Sequence, residues 1–213
     1  MAKPVIYGPA YSTFARTCRL ALEEKGADYD LVEVDIFSGA NKAPEHLARH
    51  PFGKVPAFEH DGLELYETDA ITRYVDEAFE GRDLQPADAA GRARMAQAIN
   101  IIGCYAYPAM ISQIFVQRAV VPMKGGTADE DAIAAAMPQA QTAVAALEKL
   151  IGGNAYLAGD RLSLAALLLI PVYEYFAQTP EGQKMLAEAP NLQRWWDKVR
   201  TRPSVEKTRP SLG

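Results

Sequence analysis

Short apolar strands and amphipathic helices alternate over the first eighty residues. A strand pattern at residues 4–7 gives way to apolar positions at helical spacing, and Gly26 is a suitable end for that helix. The apolar period then changes to two, which is typical of a half-buried strand, at Val32, Val34 and Ile36. The pattern therefore predicts a strand, a helix and a second strand.

Two further strand-like segments, residues 55–59 and 63–66, flank Asp61 and Gly62, a pair that favours a tight hairpin. An amphipathic helical pattern follows the two strand-like segments, and Thr68 is a candidate cap at its start. This order of elements predicts a compact α/β unit with a mixed sheet.

Every periodic segment beyond the polar, turn-prone residues 81–87 is helical. A long helical pattern continues to residue 121, and Pro108 is expected to kink it. We therefore predict an α/β domain of residues 1–80, a linker at 81–87 and an all-α domain of residues 88–213.

Three later helices have candidate capping residues at their starts. Thr127 and Glu130 have the spacing of a capping box, and Asn191 precedes the segment that carries both tryptophans. Ser163 precedes a segment that is apolar nearly all round, residues 164–176. This apolar helix is expected to form the buried centre of the second domain.

Composition and charge exclude several kinds of partner. The 213 residues are 49% hydrophobic, with a net charge of −5, a sequence pI near 5.3 and no basic stripe. We therefore expect no binding to nucleic acid or anionic lipid. The longest apolar run, residues 164–173, is half of the ~20 residues that a spanning helix needs, so no membrane span is expected.

Cys18 and Cys104 are too few for a disulfide framework. Both lie among apolar residues, and we interpret them as buried thiols in a reducing compartment. No stretch of signal-peptide length precedes the first strand, so a cytoplasmic location is expected.

Ser12 and Thr13 lie at the start of the first helix, where the free backbone N–H groups favour an anion. Their hydroxyl groups can cap the helix or donate to a bound group. For an isolated pair of this kind, a structural cap is the commoner role. The residues alone leave both roles open.

The segment HPFGKVP, from His50 to Pro56, puts a proline directly after the strand-forming Val55. Such a proline is often cis. A cis bond would turn the N–H and C=O groups of Val55 outward, where they could pair with an extended peptide ligand. The alternative is an ordinary loop proline.

Two further residue pairs have a spacing that suits a ligand. Glu67 and Thr68 end a strand and begin a helix, where a carboxylate or an α-amino group could bind, unless Thr68 only caps the helix. His46 and His50 stand four residues apart, but Pro51 ends that segment and no carboxylate or thiol completes a metal set. We therefore expect no metal.

Two segments carry a resemblance that covers essentially the whole chain. They read HPFGKVPAFEHDGLELYETDAI, from His50 to Ile71, and YLAGDRLSLA, from Tyr156 to Ala165. With them the chain resembles the cytosolic glutathione transferases, which join a thioredoxin-like α/β N-terminal domain to an all-α C-terminal domain. The start of the first helix resembles the phi class, in which a serine hydrogen-bonds the glutathione sulfur.

The resemblance implies roles for individual residues. Ser12 would be the catalytic residue that contacts the sulfur, Lys42 would hold the glycine carboxylate, and the Val55 backbone would pair with the cysteinyl backbone. Glu67 and Thr68 would hold the γ-glutamyl end. The implied glutathione-binding set is Ser12, Asn41, Lys42, Lys54, Val55, Pro56 (as the cis proline), Glu67 and Thr68.

Three positions depart from the family pattern. Asn41 stands where phi-like proteins often have a histidine, and Lys54 stands where a glutamine is common. These two departures put the carboxylate site in question, although an added cation need not weaken it. Ala166 replaces the usual capping-box aspartate, so Ser163 would cap its helix without a reciprocal partner.

The resemblance also implies a second pocket for the electrophile, between the start of the first helix and the first long helix of the all-α domain. The candidate residues are Tyr11, Phe14, Phe37, Ile111, Phe115 and Arg118. Ile111 and Phe115 share a helix face at helical spacing, and such a pair is more often core than pocket.

The implied activity is that of a homodimeric glutathione transferase without a metal. Glutathione is the co-substrate, and its thiolate is conjugated to, or reduces, a small hydrophobic electrophile. A binding protein for glutathione or apolar ligands would keep the same fold without turnover. Isomerisation or thiol–disulfide exchange is disfavoured because position 12 is not a cysteine. The residues do not identify the electrophile.

Overall fold

The computed structural model describes residues 2–210, which divide into two compact units. Within the described residues, the first unit comprises residues 2–85 and 201–210, and the second comprises residues 86–200. The two units are an α/β unit and a helical unit, in agreement with the predicted fold class.

The first unit contains a four-stranded sheet and helices from both ends of the chain. Its elements are β1 (Val5–Tyr7), α1 (Thr13–Lys25), β2 (Asp30–Val32), a 3-10 turn (Ala40–Lys42), α2 (Pro44–Arg49), β3 (Ala57–His60), β4 (Leu63–Tyr66), α3 (Thr68–Ala78) and α10 (Pro203–Thr208). The strand order is β2–β1–β3–β4, with β1 parallel to β2 and the other pairs antiparallel. The predicted mixed sheet is confirmed.

The turns that shape this sheet follow from residues that tolerate positive φ. Asp61 and Gly62, at the hairpin between β3 and β4, have φ values of 48° and 81°. Gly26 ends α1 with a φ of 68°. The hairpin and the end of the first helix are both as predicted.

The second strand is shorter than its apolar period predicts. β2 ends at Val32, which is exposed, whereas Val34 is buried beyond the strand. The reason is that β1 offers only three residues for pairing, Val5 to Tyr7, and the ladder stops with them. The prediction of one half-buried strand through Ile36 was wrong in its extent.

The core of the first unit lies where α1 and α3 pack on each other and on the sheet. Its fully buried side chains include Ile6, Leu20, Phe58, Ile71 and Val75. Burial of a side chain of this size contributes about 1.5–3 kcal/mol, so this cluster fixes the relation of the two helices to β1 and β3.

The C-terminal segment packs on α1 within the first unit, whereas the sequence assigns it to the all-α domain. Arg202 and Ser204 both donate to the Glu24 carboxylate, and the buried Arg16 guanidinium donates to Val205 and Thr208. Burial alone would raise the pKa of Glu24, but the hydrogen bonds from Arg202 and Ser204 outweigh it and lower that pKa. Buried charged groups of α1 thus hold the last helix.

The second unit consists of helices and one isolated β-bridge, Tyr156 to Gly159, within its described residues. The helices are α4 (Ala89–Ile101), a π-helical segment (Ile102–Val120), α5 (Val121–Met123), α6 (Glu130–Ile151), α7 (Leu164–Phe176), α8 (Pro180–Ala187) and α9 (Pro190–Val199). The α7 helix is buried almost throughout, which confirms that it forms the centre of this unit.

The long helix is continuous from Ala89 to Met123, and Pro108 lies inside its π-helical segment. Its middle takes π geometry, with hydrogen bonds such as that from the Val121 N–H to the Val116 carbonyl. The wider π turn accommodates a proline ring that would clash with the carbonyl four residues earlier in an α-helix.

This continuous helix is long and apolar enough to span a membrane by length and composition, and 44% of its most apolar window is buried. Buried core helices have the same composition, so this is weak evidence for a span. The sequence prediction of no membrane span had considered only residues 164–173.

Two of the three predicted helix caps in the second unit are wrong, and the third, Ser163, is the N-cap residue of α7 but makes no capping hydrogen bond. Asp129, not Thr127, caps α6 by accepting from Ala132 N–H. The buried Ser163 hydroxyl makes no hydrogen bond to any described residue. Asn191 lies inside α9, whose first N–H groups are bound by the Glu148 carboxylate. A partner from another helix replaces the local cap there.

The two cysteines differ from the prediction that both are buried. Cys18 is fully buried on α1, whereas Cys104 is exposed on the π-helical segment. Its neighbour Tyr105 is also exposed, so this turn of the helix faces outward. The apolar residues around Cys104 in the sequence belong to other faces of the same helix.

Candidate functional site

Ser12 lies directly before α1 in extended conformation, and its Oγ accepts the N–H of Ala15 at 3.3 Å. It therefore acts as the cap of the helix. A hydroxyl that accepts one hydrogen bond still has its own proton to donate. Ser12 is half-buried at the helix N-terminus, so a donated bond would point to an anion near the free N–H groups of the first turn.

Thr13 has a different environment from its neighbour. It is the first residue of α1 and is buried, and its carbonyl accepts the Thr17 hydroxyl. Of the two hydroxyl side chains at this helix start, Ser12 is the more accessible. The structure thus favours Ser12 for contact with a ligand.

Gly8 brings the start of α1 close to the loop before β3. A Cβ atom at this glycine would lie 3.1 Å from the Ala15 Cβ and 3.3 Å from the Val55 Cβ. Because these contacts leave little room for a side chain, the glycine permits Val55 to approach the first turn of α1. The Val55–Pro56 peptide bond in this loop is cis.

Three side chains from the 3-10 turn and α2 bind the loop that precedes Val55. The amide of Asn41 donates to the Gly53 carbonyl at 2.7 Å, and Lys42 Nζ donates to the Phe52 carbonyl at 3.3 Å. His46 Nε2 lies 2.7 Å from the Lys54 carbonyl. Asn41 and Lys42 are candidates from the sequence, whereas His46 had been considered only as a metal ligand.

Lys54 and Lys42 both have exposed side chains at this loop. Together they provide two cations beside Val55, where an anionic end of a peptide ligand would be favoured. The Lys54 backbone is held by His46, while its side chain remains in solvent.

Glu67, not Thr68, is the N-cap of α3, so the capping prediction for Thr68 was wrong. Glu67 has a φ of 72°, which is uncommon for a residue other than glycine, and its side chain makes no capping bond. Strained backbone of this kind persists where the surroundings fix it, often at binding sites. Thr68 is then the first helical residue, with its N–H among the free donors of α3.

Tyr11 and Phe37 stack in the first unit, with ring centroids 5.4 Å apart and planes 14° apart. Phe37 is an exposed aromatic residue and Phe14 is half-buried. Burial, followed by the nearby carboxylates of Asp35 and Glu33, raises the pKa of Tyr11, which keeps its phenol neutral at physiological pH. Tyr11 is next to Ser12 in the sequence and Phe14 is two residues after it, and Phe37 reaches this region through its stack on Tyr11.

The other three electrophile candidates lie in the helical unit. Ile111 and Phe115 are buried, and the Phe115 ring stacks on Tyr175 with centroids 4.6 Å apart, as in a packed core. Arg118 binds two carboxylates, Glu181 at 2.6 Å and Glu130 at 2.5 Å. Those hydrogen bonds, first with Glu130 and then with Glu181, raise the pKa of Arg118 and keep it charged.

No group of three or more His, Cys, Asp or Glu residues within residues 2–210 has the arrangement of a metal site. His46 and His50 do lie beside each other, with ring centroids 6.3 Å apart. His46 is hydrogen-bonded to the loop carbonyl, and burial lowers the pKa of His50.

Comparison with known proteins agrees with this geometry. Residues 5–77 match the model of the glutathione S-transferase N-terminal domain, and residues 102–203 match that of the C-terminal domain. A probable glutathione S-transferase GSTF1 from Oryza sativa is 33% identical over 95% of this chain and 93% of its own length.

Solved structures agree in fold over nearly the whole chain. Glutathione transferase F7 from Populus trichocarpa has a TM-score of 0.87 at 32% identity, covering 96% of this chain and 97% of its own. Glutathione S-transferase I from maize, in complex with an atrazine glutathione conjugate, has a TM-score of 0.84 at 32% identity over 97% and 96%. The chain belongs to the glutathione S-transferase family of enzymes and is of the phi type.

Proposed function

We propose that this chain joins the thiol of glutathione to small hydrophobic electrophiles and that Ser12 stabilises the reacting thiolate. The observation that carries the proposal is the position of Ser12, half-buried at the N-terminus of α1 with a hydroxyl proton that its capping bond leaves available. The maize relative bound to a glutathione conjugate supports the same chemistry.

The chemical step begins with loss of the thiol proton to solvent. A free thiol has a pKa of ~8.5 and is only a few per cent ionised at neutral pH. A hydrogen bond from Ser12, together with the N-terminus of α1, would lower that pKa and make thiolate the major form. The sulfur then forms a bond to an electrophilic carbon, and the leaving group departs with its electron pair.

The glutathione site is proposed along the loop before β3 and the start of α3. Lys42 and Lys54 would attract the glycine carboxylate, the Val55 backbone would pair with the cysteinyl backbone, and Glu67 would bind the α-amino group of the γ-glutamyl end. The unusual backbone at Glu67 and the free N–H groups at Thr68 support this assignment. Pro56, directly after Val55, would complete this edge.

The electrophile would bind an apolar surface that includes Tyr11, Phe14 and Phe37. The Tyr11–Phe37 stack and the exposure of Phe37 support these residues. Ile111, Phe115 and Arg118 are weaker candidates, because two of them are buried in the helical core and the third is bound to carboxylates.

The active form is proposed to be a cytoplasmic homodimer. An exposed aromatic pair on the first unit, Phe52 and Tyr66, supports self-association. Two cysteines without a disulfide fit a reducing compartment.

The substitution Ser12→Ala tests the catalytic role. We expect it to reduce kcat by about ten- to 150-fold, because a hydrogen bond to a charged acceptor contributes about 1.5–3 kcal/mol. Glutathione affinity should change little, since the other contacts lie along the loop and α3. Steady-state kinetics with a generic electrophile and titration of the bound thiol by its thiolate absorbance would measure both.

Thr13→Ala is the matched control, since it removes the neighbouring hydroxyl. Wild-type turnover and an unchanged bound-thiol pKa in Ser12→Ala would contradict the role of Ser12. The same loss in Thr13→Ala alone would move the role by one residue. Saturable glutathione binding without turnover in the wild type would instead indicate a binding protein.

A further inference from the structure

Three successive carbonyl groups, those of Phe52, Gly53 and Lys54, each accept a hydrogen bond from a side chain of residues 41–46. The donors are Lys42, Asn41 and His46, respectively. Loop carbonyls more often bind solvent or other backbone groups. Here three consecutive carbonyls of one loop are held by side chains that come from one neighbouring segment.

The His46 bond is the best shielded of the three. The imidazole is only 5% exposed, and its Nε2 lies 2.7 Å from the Lys54 oxygen. Because a carbonyl oxygen can only accept, Nε2 carries the proton in this contact. A short hydrogen bond from a buried imidazole fixes the direction of the carbonyl.

Gly53 makes the close approach of these donors possible. Its φ is 58°, and a Cβ atom there would lie 2.8 Å from Lys42 Cδ and 2.9 Å from the Asn41 carbonyl. Any side chain at this position would therefore displace the 3-10 turn that carries two of the three donors.

The planarity of the peptide group connects these bonds to the ligand. The Lys54 C=O and the Val55 N–H belong to one rigid peptide plane and point in opposite directions. By holding the Lys54 oxygen, His46 thus sets the direction of the Val55 N–H. In the same way, Asn41 sets the peptide plane between Gly53 and Lys54.

We infer that His46 and Asn41 are positioning residues for glutathione, which orient the backbone of residues 53–55 without touching the ligand. The inference rests on the proposed function, in which the Val55 backbone pairs with the cysteinyl part of glutathione. It also gives Asn41 a role in the loop, different from the direct ligand contact that the family resemblance implies.

The test compares His46→Leu, which removes the donor, with His46→Gln, whose amide nitrogen can take the place of Nε2. In the full-length protein, we expect His46→Leu to raise the KM for glutathione about three- to tenfold, as the loss of one neutral hydrogen bond would. The kcat should stay within about twofold, because the Ser12 contact is unaffected. His46→Gln should restore KM to within about twofold of wild type.

His60→Leu is the matched control for general destabilisation. His60 is 3% exposed in the same unit, and its Nε2 also lies near a backbone carbonyl, that of Ala2, at 3.0 Å. Its hydrogen bonds lie away from residues 53–55, so it should lower thermal stability without changing KM. Equal increases of KM in His60→Leu and His46→Leu would overturn the inference.

Asn41→Ala gives a second measurement at a half-buried position if His46→Leu does not fold. We expect the same direction, a higher KM at nearly constant kcat. An unchanged KM in Asn41→Ala would overturn the inference for this residue. A glutamine variant at position 46 that is as impaired as the leucine variant would also overturn it, since the donated bond is the proposed cause.

The dipeptide γ-glutamylcysteine separates positioning from direct contact. It keeps the cysteinyl part but lacks glycine, so the effect of His46→Leu on its KM should persist. The effect of Lys54→Ala should disappear, because the exposed Lys54 side chain makes none of the three loop bonds. Loss of the His46 effect with this substrate would overturn the inference. If the wild type shows no saturation with glutathione, the proposed function itself fails, a result distinct from a saturable wild type with unaffected variants.

Discussion

The two thiols of this chain differ in their contact with solvent. Cys18 is fully buried on α1, and burial raises the pKa of its thiol, so the reactive thiolate is scarce. Cys104 is exposed on the π-helical segment. Reaction with a thiol reagent should therefore be confined to Cys104 in the folded protein.

We expect the variant Cys104→Ser to show no reactive thiol at pH 8 until a denaturant is added, when one thiol should appear. A colorimetric disulfide reagent measures this directly. Fast labelling of the folded variant would contradict the burial of Cys18, because it would mean that local opening exposes this thiol.

The sequence predicted local backbone conformation better than it predicted side-chain contacts between distant residues. The hairpin residues Asp61 and Gly62 were predictable, because their positive φ depends on local sequence. The hydrogen bond between His46 and the Lys54 carbonyl was not predictable, since the two groups meet only after α2 folds against the loop. The same is true of Glu148, which replaces a local cap on α9.

At the scale of elements, a buried ion pair joins the end of α1 to α3. Lys25 Nζ lies 3.3 Å from the Asp76 carboxylate, and their side chains are only 2% and 5% exposed. The lysine also donates to the Asp76 and Arg82 carbonyls, while Asp76 accepts from Leu84 N–H. These bonds connect two helices to the chain that leaves the first unit.

We predict that Lys25→Met lowers the free energy of unfolding by about 3 kcal/mol, because it leaves the Asp76 carboxylate buried without its cation. Urea unfolding followed by circular dichroism measures this. Lys3→Met is the control, since the Lys3–Asp30 pair is 48% and 55% exposed and should contribute less than about 1 kcal/mol. Similar losses in both variants would contradict the importance of burial.

Element existence was predictable from periodicity, but element extent and ends were not. The sequence indicated β2 through its period of two, yet the strand stops where β1 stops. It also indicated a continuous pattern around Pro108, but not that the segment around this proline takes π geometry. For β2, the neighbouring strand decides the extent.

At the scale of the whole molecule, the change from mixed to purely helical periodicity indicated an α/β part and a helical part, which is the fold class that the structure shows. The C-terminal residues 201–210 differ, because they pack with the first unit through Arg202 and Ser204. Their helix is too short for its periodicity to reveal its partner. The side chains of α1 that bind it, including Glu24, Arg16 and Arg19, explain the placement.

An exposed pair of aromatic side chains on the first unit, Phe52 and Tyr66, indicates how two copies of the chain associate. Phe52 is 65% exposed, and its ring packs edge-on against the exposed Tyr66, with centroids 6.2 Å apart. Both rings also contact the His50 ring. An apolar loop side chain of this size in water favours burial against a partner. Since the net charge is only −5 per chain, electrostatic repulsion between two copies is small.

We therefore predict a homodimer of twice 23.2 kDa, about 46 kDa, that depends on Phe52. Phe52→Ala should shift the mass at micromolar concentration toward a monomer, because burying an aromatic ring in each copy contributes about 1.5–3 kcal/mol per site. Sedimentation velocity measures the mass. Met123→Ala is the matched control, since Met123 is also 65% exposed but lies in the helical unit, and it should remain dimeric. A wild-type mass of 23 kDa would contradict the assembly, and a dimer that persists in Phe52→Ala would move the contact to another surface.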